Sequence, residues 1–340
     1  MSSKRKACRL RRPIIGTSRF FAALLAASVL SCTEGEAPVP RLESISIVIP
    51  YRAGGGFDRS VRLFAPFFER ALGEQVQILP DNSPGAGGRL GAVKVYRARP
   101  DGSTLGIFNL PGFVLPEVLG ETVEYDLRQL SWIGRLESED YVLLVANDSP
   151  IEDLDGLRAA QRLTFLSTGY GSTVLAASQI LADQLQLDSE DTVFLTGYTG
   201  TADSLVGLMR GDGNVALAPI SSALPYLESG DLRPLAVSGH PSRLPGVPSL
   251  AELGYPELTP LNVQRALAGP PDMDPELLET LRAAFLAAVS NREFLQRAES
   301  AGMIVAPTSG EAVVTEVEAS FGYYERFRSD LTNPNTSAAR

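Results

Sequence analysis

The sequence predicts an α/β protein of two lobes, each built on a largely parallel sheet, and three observations carry that prediction. From Ile45 onward, β-like apolar runs alternate with helical stripes, the pattern of helices layered on a sheet. The turns between them are rich in Gly, Ser and Thr, and each opens a helix. The strand–turn–helix series then begins again near residue 163. A chain of 340 residues, 44% hydrophobic and 21% charged, is long enough for two domains of ordinary size.

Taken in order, residues 45–49 read as the first strand and 50–57 as a glycine-rich turn. From Asp58 the apolar positions Val61, Phe64, Ala65, Phe68 and Leu72 follow an amphipathic stripe, which Gly73 ends. Residues 76–79 form a second strand, 82–88 a second glycine-rich loop opening a helix through Tyr96, and 104–108 a third strand. Residues 132–136 and 141–146 read as two strands leading away from this lobe, with Glu137, Glu139 and Asp140 in a solvated turn between them. The second series follows as strand 163–166, turn 167–171 and helix 172–185, then strand 193–195, turn 196–200 and helix 201–209. Residues 215–217 and 234–237 add strands to this second sheet. Helical stretches at 274–289, 292–298 and 312–327 are expected to pack back on the first lobe, with Asp272 and Asp274 placed as acids before a helix start. Residues 329–340 are polar, end in small residues and are expected to be disordered.

The first 31 residues are of another kind. Lys4, Arg5, Lys6, Arg9, Arg11, Arg12 and Arg19 precede an apolar run over 20–30. That run is shorter than the roughly 20 residues a bilayer span needs, so residues 1–31 read as an export signal. It ends at Ser31-Cys32, resembling a bacterial lipobox in which Cys32 becomes the lipidated first residue, with 32–43 as a short tether. Losing these seven positive charges takes the formal net charge from −10 to −17, a surface that argues against nucleic acid as a partner. Cys8 leaves with the leader and Cys32 is the only other cysteine, so neither a disulfide nor a thiolate metal site remains.

Helix N-termini leave backbone N–H groups unpaired and carry partial positive charge, so a Gly/Ser/Thr turn that opens a helix is a ready anion site. Lys94 is the only lysine outside the leader; an anion would be held mainly by N–H groups, hydroxyls and an arginine. The run Arg52-Ala53-Gly54-Gly55-Gly56 is no dinucleotide fingerprint, because Arg59 stands where the last glycine is required. It is either a tight turn or a ligand loop. Asp58 is either a helix N-cap or a carboxylate facing the ligand, and Ser172, Thr173, Thr199, Gly200 and Thr201 are either caps or contacts. Tyr198, an aromatic at a turn, reads as a binding surface. Enzymatic chemistry has little to work with: His240 is the only histidine, and the chain has neither a nucleophile elbow nor a P-loop. No cofactor and no metal are expected.

Five blocks in order then carry a resemblance. They are Ile47-Val48-Ile49-Pro50-Tyr51-Arg52-Ala53-Gly54-Gly55-Gly56-Phe57-Asp58, Asn82-Ser83-Pro84-Gly85-Ala86-Gly87-Gly88, Pro100-Asp101-Gly102-Ser103-Thr104-Leu105, Gly197-Tyr198-Thr199-Gly200, and Arg243-Leu244-Pro245-Gly246-Val247-Pro248-Ser249-Leu250-Ala251-Glu252-Leu253-Gly254-Tyr255. Together they resemble the receptor family of the tripartite tricarboxylate transporters. The resemblance implies a type II periplasmic-binding-protein fold, with lobes at 44–140 plus 241–328 and at 141–240, joined by crossing strands, and a ligand cleft between them. It implies an exported receptor, not an enzyme, that binds a small di- or tricarboxylate as a monomer and delivers it to membrane permease subunits. By position, contacts fall on Tyr51, Arg52, Gly54, Gly55, Gly56, Asp58, Ala86 and Gly87 in lobe one. In lobe two they fall on Ser167, Thr168, Ser172, Thr173, Tyr198, Thr199, Gly200, Thr201 and Ser221. Two departures bear on the ligand: Leu175 stands where members often carry histidine, and Arg52-Ala53 where many carry prolines. Either the missing imidazole means a less charged ligand, or Arg52 supplies a bidentate partner for a carboxylate. A sensor that signals to a membrane partner is the alternative function.

Overall fold

The computed structural model describes residues 43–332 except 74, 170 and 171; the leader, Cys32 and all but the end of the tether lie outside them. The described chain begins β1 (Ser44–Ile49), α1 (Gly56–Leu72), β2 (Gln77–Asn82), a 3-10 turn (Ala86–Gly88), α2 (Arg89–Tyr96), β3 (Thr104–Leu110), α3 (Leu115–Val118) and β4 (Ser131–Ala146). It continues through α4 (Leu154–Ala159), β5 (Leu163–Thr168), α5 (Thr173–Gln184), β6 (Thr192–Tyr198), α6 (Thr201–Arg210), β7 (Val215–Pro219), α7 (Ile220–Glu228) and β8 (Leu232–Val237). The last elements are β9 (Asn262–Gly269), α8 (Pro275–Val289), α9 (Arg292–Ser300), β10 (Val305–Ser309), α10 (Gly310–Arg326) and α11 (Arg328–Thr332).

Ten strands form one mixed sheet in the order β2-β1-β3-β9-β4-β7-β5-β6, with β10 and β8 also paired to β4. Toward its flanks, where helical crossovers return the chain in the same direction, β1 runs parallel to β2 and β3, and β5 to β6 and β7. Through the middle, β3, β9, β4 and β7 are antiparallel. The sheet is therefore parallel only toward its edges, because β9 re-enters from late in the chain between β3 and β4.

β4 is the spine of this arrangement. Its 16 residues pair with β9 and β10 up to Asp140 and with β7 and β8 from Tyr141 onward. The two strands expected at 132–136 and 141–146 are one, and the solvated acidic turn between them does not exist. Glu137 and Glu139 are each 1% exposed, because Arg265 lies directly across from Glu137 on β9.

Alternation along β1 shows how the faces are assigned: Ile45, Ile47 and Ile49 serve one cluster and Val48 the other, as the period of two requires. On the first face α1 meets the terminal helices, Phe64 lying 5.6 Å from Phe285 and 6.1 Å from Phe294 between ring centroids. Asp274 caps α8 by accepting from the N–H groups of Glu276 and Leu277. The other face is apolar along the whole sheet, from Phe108 and Trp132 to Tyr141 and Phe165. The α1 face is not: its cluster stops at Leu136 and a separate one starts at Val142 under α6 and α7. One further expectation is corrected at the C-terminus, where 329–332 belong to α11 rather than to a disordered tail. Phe327 and Leu331, one turn apart, are both buried, and α11 packs against α5. Residues 333–340 lie outside the described residues.

Candidate functional site

The first glycine-rich turn is closed by its own helix. Gly55 is the N-cap of α1 and makes no side-chain cap; Asp58, the third helical residue, reaches back to accept from the Gly54 N–H at 2.9 Å. Gly54 sits at φ +83, a conformation costly for any residue with a Cβ. The other Asp58 oxygen accepts from Arg62 Nε at 2.9 Å, and that hydrogen bond, with the Gly54 N–H, holds the carboxyl below its usual range. Asp58 is thus not the N-cap: its two oxygens close the turn on Gly54 and hold Arg62 one turn along the helix. The start of α6 repeats the device, with Gly200 as N-cap and Asp203 accepting from the Thr199 N–H at 3.1 Å and its hydroxyl at 3.3 Å.

Two turns meet at Tyr51. Asn82 donates to the Tyr51 carbonyl at 3.1 Å, and Gly88, at φ +98, lies where a Cβ would be 3.1 Å from Phe113 and 3.3 Å from Pro50. The Ala86–Gly88 turn is thereby pressed against the start of the first loop. The Tyr51 ring lies 4.8 Å from that of Phe57, and its hydroxyl accepts from Asn109 Nδ2 at 3.1 Å. Burial pushes the phenol up to about 12, against the opposing effects of Asn109 and Arg265. A Cβ on Gly112 would be 2.6 Å from Asn109 Nδ2 and 3.3 Å from Thr173 Cγ2. That approach brings the first half of the sheet to the start of α5. Ser172 caps α5 through the Leu175 N–H at 3.2 Å, Leu175 is buried, and Ser167 is fully buried with a hydroxyl that has no hydrogen-bond partner.

A second cluster lies on the far side of Phe57. Arg265, 7% exposed, directs Nη1 at Glu137 Oε2 (2.5 Å) and at Glu139 Oε1, while Phe57 lies 4.8 Å from the guanidinium carbon. Glu139 Oε2 accepts from both the hydroxyl and the N–H of Ser221 at the start of α7. Burial pushes the Glu137 carboxyl up to about 7, with Arg265 pulling the other way. These groups line a cavity of about 420 Å³ shared with Gly56, Arg59 and Ser60 of α1 and with the 301–303 loop.

Among the residues expected from sequence, the structure brings Tyr51, the Ala86–Gly88 turn and Thr173 to one seam, and Gly56 and Ser221 to the adjoining cavity. It turns Tyr198 elsewhere: the hydroxyl donates to Asp212 at 2.9 Å and the ring lies on Gly207 of α6. Arg52 is exposed. Asn109, Glu137, Glu139 and Arg265 escape sequence reasoning; the detectable signal is period-two spacing of Glu137 and Glu139, which puts both on one face of a strand. Among the described residues no His, Cys, Asp or Glu group is arranged to hold a metal, and no helix is long and apolar enough to cross a membrane.

The mixed sheet lies in two halves spanned by one long strand, with polar helix starts gathered at the seam, and the family to which this architecture leads is one of solute-binding receptors, not enzymes. The tripartite tricarboxylate transporter family receptor model matches residues 61–314, and the chain belongs to that family. It is 30% identical over 251 residues to a UPF0065 protein in the gbd 5′ region of Cupriavidus necator, covering 72% of this chain and 74% of that protein. Protein BugT of Bordetella pertussis is 25% identical over 262 residues, 74% of this chain and 78% of its own. In fold the chain is similar to MatC from Rhodopseudomonas palustris with bound malate, at a TM-score of 0.71 and 23% identity over 84% of this chain and 98% of that one. A TctC solute-binding protein from Polaromonas gives 0.68 at 24% identity, over 83% and 96%. The fold is thus that of the family's periplasmic binding proteins.

Proposed function

We propose that this chain is an extracytoplasmic receptor that binds a small organic di- or tricarboxylate at the Tyr51–Thr173 seam and delivers it to a tripartite-type membrane permease. The observation that carries the reading is the Tyr51 phenol beside Asn109, whose neighbour Gly112 lies against Thr173 at the start of α5, among helix starts whose N–H groups favour an anion. MatC with malate and a second R. palustris protein with adipate, of TM-score 0.70, support a carboxylate. In this reading 44–140 with 241–328 and 141–240 are two lobes that close on the ligand about β4, the strand that runs from one into the other.

Thermal unfolding of the purified full-length protein tests it, because a ligand selective for the folded state raises the midpoint with concentration. Succinate, malate, adipate and citrate should include at least one that does so, and Tyr51→Ala or Thr173→Trp should abolish the shift. A panel in which only neutral compounds shift the midpoint would end the carboxylate reading. The proposed anchor at Cys32 predicts incorporation of labelled palmitate that is lost in Cys32→Ser; unlabelled protein would leave a receptor without that anchor.

A further inference from the structure

Resting on the carboxylate reading above, in which Tyr51 meets the ligand, we infer that Gly112 is a positioning residue. It leaves open the space in which Asn109 holds the Tyr51 phenol and over which Thr173 closes from the other half of the sheet.

That space is fixed by its surroundings and not by the backbone. Gly112 lies outside the left-handed region that favours glycine, so its conformation admits any residue and only room argues for glycine. A Cβ there would stand 2.6 Å from Asn109 Nδ2, 2.9 Å from Asn109 Cγ and 3.3 Å from Thr173 Cγ2. All three are short of the roughly 3.5–4.0 Å at which nonbonded carbon atoms rest. The Asn109 amide and the Thr173 methyl group thus fill the place that a side chain would take.

Two of the three walls are fixed. The turn is held because the Phe113 N–H donates to the Asn109 carbonyl at 3.1 Å and the Phe113 carbonyl accepts from the Tyr125 hydroxyl at 3.1 Å. The Phe113 ring, 1% exposed, lies 5.4 Å from that of Phe108 and 5.8 Å from that of Tyr125 between centroids. Thr173 is the first residue of α5, buried, and follows the Ser172 cap; its β-branched side chain has few rotamers to choose from. Asn109 is the wall able to turn, and turning it withdraws Nδ2 from the Tyr51 hydroxyl, to which it donates at 3.1 Å. Packing of the Tyr51 ring on Phe57 gives that hydroxyl no direction. A side chain at 112 therefore reaches the ligand through Asn109 and Tyr51 without touching it.

Calorimetric titration of the purified full-length protein with succinate, malate, adipate and citrate measures the effect on binding. For the tightest of the four, Gly112→Ala should weaken binding about tenfold or more, the loss of one directed hydrogen bond to a charged group. Asn109→Ala should weaken it to a similar degree. Adding Gly112→Ala to Asn109→Ala should weaken it no more than about twofold further, because the amide that the new methyl group would strike is gone. A second readout needs no ligand: in protein labelled with 3-fluorotyrosine, the fluorine resonance that disappears in Tyr51→Phe should move in Gly112→Ala and in Asn109→Ala alike. If Gly112→Ala alone does not fold, the double variant compared with Asn109→Ala decides. Unchanged binding in Gly112→Ala, a full tenfold loss that persists on the Asn109→Ala background, or an unmoved Tyr51 resonance overturns the inference alone. No binding of any of the four to the unaltered protein ends the carboxylate reading and this inference with it.

Discussion

Arg265→Met should destabilise the fold by about 3–5 kcal/mol, the usual cost of removing one partner from a buried ion pair. Methionine keeps most of the arginine's length and its packing against Phe57, so the loss is electrostatic. Glu137 would have no remaining salt-bridge partner, and Glu139 would keep only Ser221. Urea unfolding at pH 7.5 measures the effect. Adding Glu137→Gln and Glu139→Gln to Arg265→Met should recover much of it, since a neutral trio carries no desolvated charge. A loss under about 1 kcal/mol for the single change, the range of exposed pairs, would mean that water reaches the carboxylates and that the trio is not a sealed charge cluster.

The second large effect is a fall in stability as pH rises from 5 to 8. Folded Glu137 titrates at about 7 against the usual 4.5, so between those values the folded state holds a proton that the unfolded chain has released. Its contribution is complete below about 4.5 and is lost as pH climbs through 7; the size is on the order of 3 kcal/mol. Asp140, also raised by burial, acts in the same direction. Denaturant unfolding at pH 5 and pH 8 should show the fall in the unaltered protein and a much smaller one in Glu137→Gln. Equal pH dependence in the two proteins would place the titration elsewhere.

Both predictions rest on residues whose importance lies beyond local sequence. Charge runs such as Glu137 to Asp140 are solvated in most chains, and the partner that buries this one is 126 and 128 residues away from the two glutamates. β9 is equally hard to read: Gln264 and Arg265 interrupt an apolar stretch and weaken the strand pattern, although Arg265 is where the sheet needs a cation. Asp58 shows the limit at short range. Its type and position announce a helix start, but whether it caps, closes the turn or faces a ligand depends on the φ of Gly54 and on Arg62 within the same helix.

What the sequence determined by itself is what four or five neighbouring residues decide: the strand over 45–49 and the one starting at Leu163, the polar turns after them, the stripe of α1 and the acid at Asp274 before a helix start. These follow from side-chain period and backbone hydrogen bonding along one segment, and they were enough to place the candidate contacts on helix starts. Only the tertiary structure decided which of those contacts share a site. It turned Tyr198 onto Gly207, set Tyr51 beside Asn109, brought Gly112 against Thr173, and closed Arg265 over two glutamates. The reason is that burial and pairing are properties of strands brought together from distant parts of the chain. The free energy of a buried charge is set by the partner it meets there, and no local pattern encodes that partner.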